Sequence, residues 1–121
     1  MRLTPAAALA AATSALSLAS SPAWAAGGKE QFDETCAECH ALGPSSTDAP
    51  TLRGVAGRNV ASLTDFQYSA ALKAKGGVWT GANLDAFLAN PQAYAPGTTM
   101  YVSVASPADR KAIIDYLATV K

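Results

Sequence analysis

Both cysteines of the chain and its only histidine fall in one run of five, Cys36-Ala37-Glu38-Cys39-His40. Thiols serve as nucleophiles, redox groups and metal ligands, and imidazole as a base or a metal ligand. A disulfide between Cys36 and Cys39 would close a very short loop and stabilise little. A thioredoxin-like dithiol belongs in a βαβ context, and no alternating strand pattern surrounds this segment. A structural zinc site needs four Cys- or His-type ligands, and two Cys with one His supply three. The spacing C-x-x-C-H is that of covalent haem attachment. Each thiol then forms a thioether to a haem vinyl group, and the adjacent imidazole lies beneath the iron.

The opposite side of such an iron needs its own ligand. A second histidine is not available, so bis-histidine ligation is excluded. Met100 closes the run Pro96-Gly97-Thr98-Thr99-Met100, after a Pro-Gly turn and outside any helical stripe. A lone methionine is usually core filler, but this one stands on a loop, and its soft sulfur suits haem iron. Methionine opposite histidine also raises the potential. The residues thus point to six-coordinate iron held by His40 and Met100.

The first 25 residues are expected to lie outside the fold. Arg2 provides a positive start, Ala6 to Ala19 an apolar Ala- and Leu-rich stretch, and Ala23-Trp24-Ala25 an A-x-A cleavage signal after Ser20-Ser21-Pro22. The apolar run is short for a membrane span. The expected organisation is a cleaved secretory signal peptide over 1–25 and one domain over 26–121, exported in soluble form to the periplasm. Removal of Met1 leaves Met100 as the sole methionine. The whole chain balances nine basic residues against nine acidic ones, so losing Arg2 leaves one acidic group in excess. Without a basic run or a global field, neither nucleic acid nor an anionic membrane is an expected partner.

The elements that must position these ligands read as helices. Gly28 to Cys39 carries Phe32 and Cys36 four apart on one face. Thr64 to Ala74 reads as a short helix starting near Ser62 or Thr64, with Asp65 in its first turn. Leu84 to Asn90 has Leu84, Phe87 and Leu88 on one face, and Pro91 is expected to stop it. Ser106-Pro107 is a capping serine followed by a proline at the first helical position. The helix they open turns Ile113, Ile114, Leu117 and Val120 inward. Turn formers fill the stretch from Gly43 to Pro50. The expected class is all-α, several helices and long loops wrapped around one haem. A domain this small with such long connections has a thin core of its own, and a large apolar group would fill it.

In this order the residues resemble a class I cytochrome c, of the small bacterial type close to mitochondrial cytochrome c. The likeness runs from Gly28 to Lys121 through Phe32, CAECH, Pro50-Thr51-Leu52, Gly57-Arg58, Tyr68, Trp79, Leu88-Ala89-Asn90-Pro91, PGTTM, Arg110, Ile113 and Tyr116-Leu117. The resemblance implies that Pro50 offers its carbonyl to His40, which strengthens the imidazole as a ligand. It implies that Tyr68 and Trp79 hydrogen-bond a buried haem propionate, with Arg58 balancing its charge. Gly28 and Phe32 match the crossing of the first helix with the last, near Ile113 and Tyr116, a structural contact. Phe87 departs from the family, which often has a tyrosine near the methionine sulfur. Thr35, Gln92, Ala93 and Thr99 stand where mitochondrial members carry docking lysines, while Lys73 and Lys75 lie on another side. Docking is therefore expected to be weaker and more apolar.

The function implied is single-electron transfer by haem c, its iron cycling between Fe(III) and Fe(II), and no enzymatic reaction. A redox donor and a redox acceptor are the expected partners, docking transiently on a monomer, with peripheral contact to membrane complexes allowed. Two other readings stay open: a haem subunit of a larger redox complex, and a peroxidase-like or gas-binding haem protein if Met100 is displaced.

Overall fold

The computed structural model describes residues 23–121, so the expected signal segment up to residue 22 lies outside the described residues. Five helices follow in order: α1 Ala23–Thr35, α2 Ala70–Lys75, α3 Gly81–Ala89, α4 Pro91–Tyr94 and α5 Pro107–Thr119. Ala23 to Ala25, the expected cleavage signal, form the start of α1. No strand occurs among the described residues. A single antiparallel bridge pairs Asn59 with Val78, flanked by Trp79 N–H to the Arg58 carbonyl at 2.8 Å and Gly57 N–H to the Trp79 carbonyl at 2.9 Å. The all-α class holds.

α1 and α5 cross where Gly28 lies against the Ala112 backbone and Tyr116. Just beyond the crossing Phe32 packs on Tyr116, ring centroids 5.4 Å apart, and Ile113 is completely buried. Leu117 lies on the same face of α5 and is buried with it, whereas Val120 falls at the C-cap of α5 and is half-buried. α3 presents Leu84, Phe87 and Leu88 to this core. Phe87 makes tilted contact with Trp79 at 5.1 Å and edge contact with Tyr94 at 5.8 Å, a geometry aromatic rings favour.

Helix boundaries differ from the sequence reading at several points. α1 starts at Ala23 rather than Gly28, and α3 at Gly81 rather than Leu84, because Thr80 caps Asn83 N–H. Three further differences have identifiable causes. α1 ends at Thr35 rather than Cys39, and Cys36 to Cys39 form turns held by Cys36 N–H to the Phe32 carbonyl and His40 N–H to the Cys36 carbonyl, both 2.8 Å. No helix forms over 64–69. Asp65 is not a first-turn charge, because its carboxylate accepts bonds from Ser45 across the chain, and α2 starts only where Ser69 caps Leu72 N–H. Pro91 does not stop α3 in open chain. Asn90 ends α3 and caps α4, with Pro91 at the first position, where its missing N–H costs nothing.

Candidate functional site

The turns after α1 carry Cys36 and Cys39 to the wall of one cavity and leave His40 at its edge, half-buried. Cys36 is buried and Cys39 exposed, and the two are not disulfide-bonded. Burial pushes the Cys36 thiol up to about 11, so it stays protonated near neutrality. His40 Nδ1 lies 2.8 Å from the Pro50 carbonyl oxygen. A carbonyl can only accept, so Nδ1 holds the proton and Nε2 is left with its lone pair. Burial, partly offset by that bond and reinforced by the charge of Arg58, lowers the His40 pKa. Burial and the Arg58 charge together favour a neutral imidazole, the form a metal accepts.

Met100 reaches the same cavity from the loop between α4 and α5. The turn Ala95-Pro96-Gly97-Thr98 is closed by Thr98 N–H to the Ala95 carbonyl at 3.0 Å. Gly97 sits at φ +94°, as the third position of a type II turn requires. Gln92 then pins the loop: its Nε2 donates to the Thr98 carbonyl at 2.7 Å and the Met100 carbonyl at 3.3 Å, and its Oε1 accepts from Gly97 N–H. The resemblance places Gln92 where mitochondrial members carry a docking lysine; in this chain its amide bonds the loop that holds Met100.

The cavity has a volume of about 350 Å³, within the ~300–1,000 Å³ typical of ligand sites. Its walls are mostly apolar, with Leu52, Val55, Leu72, Leu84, Leu88 and Leu117 among them. All eight residues singled out in the sequence line it: Cys36, Cys39, His40, Pro50, Arg58, Tyr68, Trp79 and Met100. Arg58 donates Nη2 to the Thr51 carbonyl and Nη1 to the Arg53 carbonyl, while its Nε is buried without a partner. Burial lowers its pKa, with Tyr68 and Asp65 opposing. Thr98, 1% exposed, leaves Oγ1 equally unpartnered. A buried donor without an acceptor costs about 1–3 kcal/mol, so two beside one apolar cavity call for a ligand with acceptors on its edge. A haem, apolar in its plane and acidic at its propionates, fits this cavity.

Thr98 was missed in the sequence, where it is one of two threonines in a loop. Only its burial marks it, and no local pattern carries that information.

A cytochrome c family model matches residues 25–121. The cytochrome c-type cyt cy of Rhodobacter capsulatus is 42% identical over 93 residues, spanning 76% of this chain and 47% of that protein, so this chain covers about half the length of that relative. Cytochrome c2 of Rhodomicrobium vannielii is 40% identical over 106 residues, 83% of this chain and 85% of that one. The solved structure of cytochrome cH from Methylobacterium extorquens superposes with a TM-score of 0.73 at 35% identity, over 78% of this chain and 97% of that one. With the C-x-x-C-H run on the wall of a mostly apolar cavity, the chain belongs to the class I cytochrome c family, electron-carrier proteins rather than enzymes, which bind one covalent haem c with its iron.

Proposed function

We propose that this protein is a soluble, exported one-electron shuttle whose iron is held by His40 and Met100. Haem c supplies the Fe(III)/Fe(II) couple. What supports the ligand assignment is one observation: His40, with Nε2 unprotonated, and Met100 border the same apolar cavity as both cysteines. Cys36 and Cys39 anchor the group covalently, and the Pro50 carbonyl holds the imidazole plane and tautomer. Gln92 fixes the loop behind Met100, so both ligands stay in place as the charge changes. Tyr68, Trp79, Arg58 and Thr98 hold the acidic edge, and the leucine walls exclude water.

Export follows from the N-terminal segment: cleavage after Ala25 releases residues 26–121 into the periplasm. Among the described residues no helix is long and apolar enough to cross a membrane. Docking to donor and acceptor takes place at the Met100 edge. No charged residue occurs between Asp85 and Asp109, and Tyr101 and Val102 stand 79% and 47% exposed beside the ligand. An uncharged segment with exposed apolar side chains suits brief complexes with weak salt dependence. A permanent subunit would need an apolar interface of roughly 2,000 Å² or more. Val78, Tyr101 and Val102 are the only large hydrophobics exposed among the described residues.

The test is the visible spectrum of the reduced holoprotein before and after carbon monoxide. A closed sixth position leaves it unchanged. Rapid formation of a carbonyl complex would overturn the shuttle and favour a peroxidase-like or gas-binding protein.

A further inference from the structure

The hydrogen bond from His40 is the first of a series that ends on a carboxylate. His40 Nδ1–H donates to the Pro50 carbonyl at 2.8 Å. The other end of that same peptide unit, Thr51 N–H, donates to Ser45 Oγ at 2.9 Å. Ser45 Oγ–H in turn donates to Asp65 Oδ1 at 2.9 Å, while Ser45 N–H reaches Asp65 Oδ2 at 3.2 Å. Every donor in the series points away from the imidazole and toward the anion. Bonds aligned head to tail polarise one another. The carboxylate draws the Ser45 proton, the hydroxyl oxygen becomes the better acceptor for Thr51 N–H, and the Pro50 oxygen the better acceptor for His40. A ligand imidazole whose N–H is held more strongly is more basic and stabilises the oxidised metal.

We propose that Asp65 is a positioning residue for the haem iron, lowering the reduction potential through Ser45 and the Pro50–Thr51 peptide. The proposal rests on His40 as axial ligand. Asp65 is exposed, so its field through solvent is screened, and the bonded route is the stronger connection. Arg58 is the charged group facing Asp65 from the cavity wall. The through-space field of Asp65 acts whether or not Ser45 keeps its hydroxyl, which allows the two routes to be separated.

The experiment uses the holoprotein as wild type, Asp65→Asn, Ser45→Ala, Ser45→Thr and the Asp65→Asn/Ser45→Ala pair. Each is first reduced and exposed to carbon monoxide, then titrated potentiometrically. The expected result is a positive shift for Asp65→Asn and Ser45→Ala, each about a threefold rise in the ferrous-to-ferric ratio at the wild-type midpoint, or ~28 mV at 59 mV per tenfold. The pair shifts no further than the larger single change, since both cut one series. Ser45→Thr keeps the wild-type potential. In the diamagnetic ferrous state the His40 Nδ1–H proton resonance moves upfield in both shifted variants. A shift in Asp65→Asn with none in Ser45→Ala would overturn the bonded route in favour of a through-space field, and unchanged potentials in both would remove the role of Asp65 altogether. Carbonyl formation by the wild type would instead overturn the ligand assignment beneath it, a result that no titration of the variants imitates.

Discussion

Replacing Gly28 by alanine sets two effects of opposite sign against each other. Within a helix, alanine is favoured over glycine by roughly 0.5–1 kcal/mol. At this position, though, the added methyl would overlap the Ala112 carbonyl oxygen and stand 3.0 Å from Tyr116 Cβ and 3.1 Å from the Ala112 carbonyl carbon. A backbone carbonyl cannot rotate out of the way, so α1 and α5 must separate. Phe32, 2% exposed, and the fully buried Ile113 would then lose contact along the whole crossing. Overpacking of this kind costs about 1–3 kcal/mol, and the gain in propensity offsets only part of it. A net loss of about 1–2 kcal/mol lowers Tm by about 4–16 °C in a domain of this size. The assay is thermal unfolding of the ferric holoprotein followed by circular dichroism. Gly28 does not line the cavity, so the reduction potential should stay at the wild-type value. A Tm equal to or above wild type would refute the crossing as the seat of tight packing. A changed potential with unchanged Tm would refute its separation from the haem.

Four further outcomes are expected. Met100→Ala opens the sixth position, so the reduced variant forms a carbonyl complex on mixing and its potential falls, both read by visible spectroscopy. Gln92→Ala frees the carbonyls of Thr98 and Met100; the loop loosens, and carbon monoxide, inert toward the wild type, displaces Met100 measurably within minutes. Thr98→Val removes a buried donor that serves an anionic acceptor, and guanidinium unfolding of the holoprotein should show a loss of about 1.5–3 kcal/mol; no loss would mean that Oγ1 has no partner in the loaded protein. Electron exchange with a redox partner should change by less than about threefold between low and physiological salt, because the segment from Ala86 to Ala108 that carries Met100 has no charged residue, and a steep decline in stopped-flow rates would place the docking site elsewhere.

The chemistry of this protein was legible in its sequence wherever it is local. Cys36, Cys39 and His40 are brought together by a single turn that begins in α1, so their spacing alone states what they can hold. Ser106 and Pro107 start α5 through a bond to Asp109 N–H three residues on, and no distant residue is needed to read it. Distant partners decided the rest. Asp65 looks like the opening charge of a helix until Ser45, twenty residues earlier in the chain, takes its carboxylate. Gln92 looks like a surface residue until the turn at Gly97 brings the Met100 loop back over it. Thr98 is an ordinary loop hydroxyl until closure of the core buries it without an acceptor. A cap or a C-x-x-C-H run is encoded within one or two turns of chain, where backbone geometry allows few alternatives. Burial and long-range hydrogen bonds exist only after the chain has closed on itself, so the ligand types belonged to the sequence and their surroundings to the fold.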